Sequence, residues 1–511
     1  MSAKTFSVHI LGLTARLIEV EADTSSQLPG MFIVGLPDKA VEEARERVKS
    51  ALKNSGCDWP RTKITINLAP ADLKKEGSAY DLPMAVALLL TSGQLHSQMD
   101  LSKILLVGEL SLAGELRPVP GVLVMAQAAR RWGFKSLLVP LGNAREAGLV
   151  QGVEILAARN LSEVLNHLSG RVSLPVQPLT GLSALPVSQS VDTDLSYISG
   201  QEQAKRALII AAAGGHNLLL SGPPGSGKTM LARALAGLLP GLNREEVLEV
   251  TAIYSVAGLL SAEQPLIVNR PWRAPHHTAS EVSLIGGGAS LRPGEISLAH
   301  RGVLFLDELP EFPRAVLESL RQPLEDGLVT VSRASGSVVF PARFILVGAM
   351  NPCPCGFAGD PTRPCLCPPG QIFRYQRRLS GPLLDRFDLH VTVPRLSFAK
   401  MTSQSSGSSD SARQIIAQAR QRQAERCGAG ETVRLNASLR AVDLKRFVSL
   451  PTNAINLLQQ AVDRWHLSGR AYHRVLKVAR TIADLDSSSQ VQVKHLAEAL
   501  QFRPRGLSEQ Q

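Results

Sequence analysis

Aromatic residues and cysteines are scarce in this chain of 511 residues. Phe, Trp and Tyr make up 4% of it, and six cysteines are too few and too scattered for a disulfide scaffold. No apolar run is long enough to span a bilayer, and residues 1–11 have neither a basic start nor a long apolar core. These absences argue against a secreted or membrane protein and predict a cytoplasmic one without a membrane partner.

Acidic residues are fewer than basic ones. Lys and Arg total 55 against 44 Asp and Glu, which gives a formal net charge of +11 at pH 7. This balance favours a polyanionic partner such as nucleic acid, although many basic proteins bind none. The length and a hydrophobic content of 44% predict two or three globular domains.

Residues 222–229 read Gly-Pro-Pro-Gly-Ser-Gly-Lys-Thr and stand between a strand-like run and a helical one. Such a loop points backbone amides at phosphate oxygens, Lys228 would reach the outer phosphates, and Thr229 would ligate Mg²⁺. A glycine-rich turn without a ligand is the alternative, which the strand–loop–helix context disfavours. The predicted ATP-binding residues are Gly222, Pro223, Pro224, Gly225, Ser226, Gly227, Lys228 and Thr229.

Polar side chains follow three further strand-like runs. Asp307 is expected to hold Mg²⁺, and Glu308 to deprotonate the attacking water. Asn351, at the tip of a neighbouring strand, would touch the outer phosphate or position water. Arg386 is either a surface charge or, as in ring-shaped ATPases, a group lent to the active site of the neighbouring subunit.

Two polar segments, 174–191 and 403–411, are predicted linkers. They separate predicted domains at 1–173, 192–402 and 412–511. In the middle domain, strand-like runs alternate with helices as in a wound α/β sheet, at 218–220, 303–306, 344–347 and 389–393. The last domain shows helical periodicity at 412–426, 454–465, 471–484 and 493–500.

Three longer motifs are more specific than the phosphate loop. They span residues 270–280 (Arg-Pro-Trp-Arg-Ala-Pro-His-His-Thr-Ala-Ser), 293–300 (Pro-Gly-Glu-Ile-Ser-Leu-Ala-His) and 380–386 (Ser-Gly-Pro-Leu-Leu-Asp-Arg). With the rest of the chain, they resemble the ComM/YifB family of magnesium-chelatase-like AAA+ ATPases. The resemblance implies an AAA+ core with a helical lid, in a hexameric ring that uses ATP and Mg²⁺ to migrate DNA branches during natural transformation.

The resemblance also implies roles for three side chains. Asn351 takes the role of first sensor, Arg470 that of second sensor, and Arg386 that of a finger acting on the neighbouring subunit. Two insertions into the core are implied as well. One, between Val250 and His300, contains three glycines at 286–288 that suit a flexible, pore-facing loop.

The second implied insertion is a hairpin over residues 328–340. Strand-like residues flank a turn that begins at Arg333 and contains Gly336. Arg333 would either grip DNA phosphates in a central channel or be a solvated arginine on an exposed turn.

Segments at 75–82 and 108–119 resemble the proteolytic domain of Lon, which implies an α+β N-terminal domain. A Ser–Lys peptidase needs a nucleophile and a base lysine within reach. By alignment, the serine position falls on Ala79 and the lysine position on Leu123, while Ser78 is one residue off. We therefore expect a structural or DNA-engaging domain without peptidase activity.

Four cysteines form two pairs, and two histidines are adjacent. Two thiolate pairs on one loop can close a tetrahedral structural Zn²⁺ site; a reduced surface loop is the alternative, because one-residue spacing is less usual. The predicted zinc ligands are Cys353, Cys355, Cys365 and Cys367. Adjacent residues on a strand point apart, so a structural role is expected for His276 and His277.

Three functions compete for this chain. We favour ATP-driven DNA translocation by a homohexameric ring, with single-stranded and branched DNA and recombination or loading proteins as the expected partners. A magnesium-chelatase motor subunit is the second function, but it needs neither the Lon-like domain nor the basic charge. A protein-remodelling ATPase is the third, but nothing here resembles the aromatic pore loop of such unfoldases.

Overall fold

The computed structural model describes residues 2–181, 194–261, 263–288, 291–333, 336–360, 363–396, 408–427 and 435–503, without the side chain of Arg333. The N-terminal part, up to residue 181, is a mixed α/β structure. Its strands are β1 (Ala3–Leu11), β2 (Thr14–Ser25), β3 (Gly30–Val34), β4 (Lys63–Ala69), β5 (Ile104–Leu106), β6 (Glu109–Leu110), β7 (Leu116–Arg117), β8 (Ser136–Pro140) and β9 (Glu154–Ala158). Its helices are α1 (Lys39–Asn54), α2 (Asp81–Thr91), α3 (Val122–Arg131), α4 (Ala144–Ala147) and α5 (Leu161–Leu168).

Seven of these strands form one sheet in the order β3-β4-β2-β1-β5-β8-β9. Alternate side chains of β2 and β4 are fully buried, among them Ile18, Val20, Ile64 and Ile66. A strand with this period of two buries one face, and here that face packs against α1 and α2.

The predicted linker at 174–191 begins too early. Val176 bridges Leu156 of β9, and the Thr180 amide donates to the carbonyl of Gly148 at 2.9 Å. Residues 174–180 therefore cover the edge of the N-terminal sheet, because β9 would otherwise leave its backbone groups unpaired. Residues 182–191 of this linker lie outside the described part of the chain.

The middle part contains a parallel sheet of five strands. The strands of this part are β10 (Leu218–Ser221), β11 (Trp272–Arg273), β12 (Gly286–Gly287), β13 (Arg292–Pro293), β14 (Val303–Leu306), β15 (Leu328–Arg333), β16 (Gly336–Pro341), β17 (Ile345–Met350) and β18 (Leu389–Thr392). The sheet order is β11-β14-β17-β10-β18, and all neighbouring pairs are parallel. Its carboxyl ends therefore meet at one edge, where a wound sheet binds ligands.

Helices cover this sheet. They are α6 (Glu202–Gly214), α7 (Lys228–Leu238), α8 (Arg244–Ala257), α9 (Glu281–Ile285), α10 (Glu295–Leu298), α11 (Arg314–Ser319), α12 (Arg321–Asp326), α13 (Pro369–Gln376) and α14 (Gly381–Leu384). The wound α/β sheet expected from the alternating pattern is confirmed. The inner strands β14 and β17 are apolar and buried along their whole length, because both faces of a parallel sheet are covered.

Both predicted insertions are present as paired strands. β15 and β16 form the antiparallel hairpin, with Arg333 opposite Gly336. The glycines at 286–288 differ from expectation: Gly286 and Gly287 pair with Pro293 and Arg292 in a short ladder. A Cβ at Gly286 would lie 2.5 Å from a backbone oxygen, so close approach, rather than flexibility, requires glycine there.

The C-terminal part is entirely helical among its described residues. Its helices are α15 (Ser409–Cys427), α16 (Ala441–Phe447), α17 (Thr452–Trp465), α18 (Gly469–Leu485) and α19 (Val493–Gln501). α15 begins at Ser409, so the predicted linker at 403–411 ends earlier than expected; residues 403–407 lie outside the description. None of the helices in the described ranges is long and apolar enough to cross a bilayer.

The N-terminal part packs directly on the middle part. α3 lies against α8, where Val122 and Ala126 share an apolar cluster with Ala252. The β1–β2 turn meets the hairpin: a Cβ at Gly12 would lie 1.9 Å from Cγ1 of Val338. These contacts place the turn of the first β-hairpin against β16.

Candidate nucleotide site

The phosphate loop lies between β10 and α7, as its sequence predicts. Gly225 and Gly227 adopt φ angles of +75° and +91°, which strain any residue with a Cβ. A Cβ at Gly222 would lie 2.2 Å from the backbone oxygen of Val393, so this position also requires glycine. The loop therefore has the backbone conformation that a phosphate-binding loop needs.

Lys228 is buried within this loop. Its ammonium donates to the carbonyls of Gly222 at 2.8 Å and Pro223 at 2.9 Å, and to Oδ1 of Asn351 at 3.2 Å. Burial lowers the pKa of Lys228, and the nearby carboxylates of Asp307 and Glu308 oppose that effect. The lysine thus lies between the loop and the tip of β17, within reach of a triphosphate seated on the loop.

Two acids face the start of α7 from the tip of β14. The Thr229 hydroxyl donates to Oδ2 of Asp307 at 3.1 Å, so two oxygen ligands suited to Mg²⁺ lie together. Glu308 has a left-handed backbone with φ of +51°, a strained conformation of the kind that clusters at functional sites. The structure therefore brings together the five side chains that the sequence assigns to triphosphate chemistry near the loop: Lys228, Thr229, Asp307, Glu308 and Asn351.

A cavity of about 370 Å³ opens beside these groups. Thr229, Asp307 and Glu308 line it, together with His276 and His277. Nδ1 of His277 lies 3.4 Å from Oε2 of Glu308, and the two histidine rings are 4.1 Å apart. The expectation that these histidines point apart is wrong, because they lie on the loop after β11 and both face the cavity.

Partly buried ion pairs hold the 270–280 motif in place beside the cavity. Arg273, from the 270–280 motif, donates to both carboxylate oxygens of Glu295, from the 293–300 motif, at 2.5 and 2.6 Å. Arg270 lies 3.0 Å from Glu246 of α8. These motifs therefore fix the loop after β11, on which the histidines stand, against the body of the core.

The four clustered cysteines directly follow the β17 tip. The sulfur of Cys353 lies 3.3 Å from that of Cys355 and 3.6 Å from that of Cys365, and all four ligand sulfurs lie within 4.8 Å of one another. Tetrahedral zinc with Zn–S bonds of about 2.3 Å would space its sulfurs by roughly 3.8 Å. The thiols are not bonded as disulfides, and their arrangement fits a structural zinc site.

The cysteine loop touches the phosphate loop. Gly356 has a φ of +86°, and a Cβ there would lie 2.6 Å from Cδ of Pro224. Cys353 stands two residues after Asn351, which binds Lys228. Whatever holds the cysteine loop together therefore also supports two sides of the nucleotide site.

The two predicted arginines lie elsewhere, on either side of Glu325. Arg386 is 4% exposed; its Nη1 donates to the carbonyl of Pro382 at 2.5 Å and its Nη2 to Oε1 of Glu325. Nη2 of Arg470 lies 3.9 Å from that same oxygen. In the described part of the chain, neither guanidinium has a hydrogen bond or ion pair with the phosphate loop or with the acids after β14.

A buried polar network joins the lid to the sheet beside these arginines. His216 contacts Oδ2 of Asp388 at 3.0 Å and the Thr481 hydroxyl at 2.8 Å, while Arg474 donates to Oδ1 of Asp388 at 3.0 Å. Burial alone would raise the pKa of Asp388, but His216 and Arg474 overcome it and lower the pKa to about 2. The network anchors α18, the helix that carries Arg470.

Comparison with known proteins identifies the family. Models described as magnesium chelatase subunit ChlI, subunit ChlI of Mg-chelatase, and the ChlI C-terminal region match residues 194–401, 20–143 and 406–503. The uncharacterized protein YifB of Escherichia coli (strain K12) is 47% identical over 496 residues, which cover 96% of this chain and 95% of YifB. The chain belongs to the ComM/YifB family of magnesium-chelatase-like proteins.

Two further relatives are a competence protein and a magnesium-chelatase subunit. The competence protein ComM of Haemophilus influenzae (strain ATCC 51907 / DSM 11121 / KW20 / Rd) is 46% identical over 507 residues, covering 98% of this chain and 97% of that protein. The magnesium-chelatase 38 kDa subunit of Cereibacter sphaeroides is 32% identical over 214 residues, only 39% of this chain and 58% of that subunit. The family resemblance read from the motifs is confirmed, and AAA+ membership indicates ATP and Mg²⁺ as ligands.

Two expectations for this ComM/YifB member remain predictions: the DNA contact of Arg333 and an N-terminal domain without peptidase activity. Arg333 ends β15, but its side chain and residues 334–335 lie outside the described structure, so its contact with DNA stays a hypothesis. In the Lon-like region, the Ser78 hydroxyl donates to Glu109, and the buried Lys75 ammonium donates to the carbonyl of Pro70. Neither contact pairs a serine with a lysine.

Proposed function

We propose that this protein is a ring-forming, ATP-driven DNA translocase that migrates DNA branches during natural transformation or recombination. The observation that carries the proposal is an ATPase site whose two assigned arginines lie apart from their own phosphate loop, in a chain 46% identical to a competence protein. Arginines placed in this way would be free to complete the site of a neighbouring copy.

The role of each side chain in hydrolysis follows from its position in the nucleotide site. Lys228 would exchange its carbonyl contacts for the outer phosphates, which its ammonium can reach from the same loop. Thr229 and Asp307 would hold Mg²⁺, which would offset the negative charge of the phosphates. Glu308 would take the proton of the attacking water, and Asn351 would orient that water or the outer phosphate.

Arg386 and Arg470 complete the site from the next subunit. Because both contact Glu325, they lie close enough to meet the same nucleotide, and we infer that both act on the neighbour. A guanidinium placed there neutralises the charge that develops on the transferred phosphoryl group. The proposed assembly is a homohexameric ring with one such site at each interface.

DNA is proposed as the polymer that the ring moves along. The net charge of +11 and the name of the competence relative support this choice. The hairpin of β15 and β16 is the candidate contact, with Arg333 at its end. A magnesium-chelatase motor is less well supported, because the similarity to the 38 kDa subunit covers only 39% of this chain.

We further propose that the four cysteines hold structural zinc. The sulfur spacing supports this assignment. A metal there would stabilise the cysteine loop, which contacts Pro224 and follows the strand that leads to Asn351. Elemental analysis of protein purified under reducing, chelator-free conditions should find about one zinc per chain. Replacing Cys353 and Cys355 with Ser should release it, and protein without stoichiometric metal would remove the assignment.

The test of the main proposal is the ATPase rate with and without DNA. Single-stranded or branched DNA should raise the rate, and the effect should weaken steeply with salt because bound phosphates release counterions. Arg333→Ala should lose the stimulation and keep basal hydrolysis. Equal rates across single-stranded, duplex and branched DNA at low salt, in confirmed hexamers, would favour a chelatase motor or an unfoldase instead.

Mixed rings test whether Arg386 acts on the neighbour. Arg386→Ala and Glu308→Gln should each abolish turnover in uniform rings. In rings that contain both variants, some interfaces place an intact Glu308 opposite an intact Arg386, so partial activity should return. No recovery in proven mixed rings would assign Arg386 to its own subunit.

A further inference from the structure

Glu325 has no role in the hydrolysis chemistry, yet it contacts both assigned arginines. It stands near the end of α12, which Gly327 terminates with a φ of +67°. β15 begins at the next residue, Leu328. The carboxylate that binds Arg386 is therefore three residues from the hairpin assigned to DNA.

The same apolar cluster supports the hairpin and the arginine. Val329 and Val331 of β15 share it with Leu320, between α11 and α12, and with Leu383 and Phe387, which flank Arg386 in the chain. A packed cluster transmits displacement because it has few voids to absorb it. A shift of the hairpin should therefore be felt at the contact between Glu325 and Arg386.

Positively charged side chains outnumber negatively charged ones around the contact between Glu325 and Arg386. Burial lowers the pKa of Arg386; Glu325 opposes that effect, while Arg321, Arg470 and Arg474 add to it. Nε of Arg386 is buried without a hydrogen bond among the described residues. The carboxylate of Glu325 thus offsets part of the positive charge of these guanidinium groups.

We propose that Glu325 is a positioning residue: it holds Arg386 and Arg470 on their own subunit, and DNA at the hairpin withdraws it so that both arginines reach the neighbour's triphosphate. This inference rests on the proposed function, because it takes Arg386 as a trans-acting group and DNA as the activator. Neither the ATPase site nor DNA binding requires Glu325 to restrain these arginines. The restraint would couple DNA at the hairpin of one protomer to hydrolysis of the triphosphate bound by its neighbour.

The test compares Glu325→Gln with Asp326→Asn in the full-length protein. Both variants replace one carboxylate at the end of α12 by an amide. Asp326, however, is exposed and makes no ion pair among the described residues. Glu325→Gln should raise the DNA-free ATPase rate roughly two- to fivefold, the effect of losing an ion pair with an exposed partner. Because the DNA-saturated rate should not change, the stimulation ratio should fall by the same factor.

Glu325→Asp, which keeps the charge but shortens its reach, should give an intermediate rate, and Asp326→Asn should match the parent. Melting temperatures within a degree or so of the parent would exclude a general loss of structure as the cause. A Glu325→Gln rate equal to that of Asp326→Asn overturns the restraint. So does a lower DNA-free rate, since it would mean that the carboxylate aligns Arg386 for catalysis.

Failure of the proposed function has a different signature. A parent protein indifferent to DNA, or an active Arg386→Ala variant, refutes that function and the restraint with it. Glu325→Gln behaving like its control, while the parent responds to DNA and Arg386→Ala is inactive, refutes the restraint alone.

Discussion

Glu146→Gln should make the protein more stable at neutral and alkaline pH. Glu146 lies on α4 and is 4% exposed. Asn143 donates to its Oε1 at 2.7 Å, but its Oε2 has no hydrogen bond in the described structure. Burial raises the pKa of Glu146 from 4.5 to about 7, with the Asn143 contact opposing the rise.

The size and sign of the effect follow from that pKa. Between about pH 4.5 and pH 7 the carboxyl ionises in the unfolded chain but stays protonated in the folded one, so stability falls as the pH rises. At about 1.36 kcal/mol per pH unit, the loss comes to roughly 3 kcal/mol. Glutamine is neutral in both states and avoids that loss, so its advantage over Glu146 should grow across this range and level off above it.

Calorimetric melting of both proteins at several pH values between 5 and 8 measures the difference. The melting temperature of Glu146→Gln relative to the parent should rise with pH across this range. A Glu146→Gln difference that is flat with pH would show that this carboxyl ionises normally in the folded protein.

Three further predictions concern the nucleotide site and its supports. Lys228→Ala should weaken ATP binding in a fluorescent-nucleotide assay, whereas Glu308→Gln should keep binding and lower turnover by about 10²–10⁴-fold; ordinary turnover would remove Glu308 as the base. Gly356→Ala should weaken ATP binding, while Gly359→Ala, with φ of +76° but nothing within 4 Å of the added Cβ, should not; equal effects would mean that backbone strain alone matters. Asp388→Asn should lower the free energy of unfolding by about 3 kcal/mol, because it breaks a buried charged network; an unchanged melting curve would contradict that assignment.

The local sequence pattern was sufficient to predict the side chains that would contact the triphosphate. Asp307 and Asn351 follow apolar runs, and parallel strands bring such tips to one edge, so the proximity of Asn351 to Lys228 could be expected before any coordinates. The phosphate loop defines its own backbone through its glycines. Helices of the lid were equally accessible, because their apolar period persists over several turns.

Contacts between distant parts of the chain could not be predicted from the sequence in the same way. His277 approaches Glu308 only because β11 pairs beside β14, and a strand of two residues leaves almost no pattern in the sequence. Glu325 meets Arg386 across 61 residues of chain, and nothing local distinguishes it from an ordinary surface acid. The adjacent histidines in the 270–280 motif were the available signal, but the assumption that they stand on a strand led to the wrong orientation.

The packing of Gly12 against Val338, and of α3 against α8, has a practical consequence for dissecting this protein. Removing the first 173 residues would leave apolar side chains of α8 and of the hairpin facing water, which invites aggregation. Grafting this ATPase segment behind an unrelated N-terminal module would have the same defect unless α8 and β16 were redesigned with it. The two segments are therefore best exchanged between relatives as one piece.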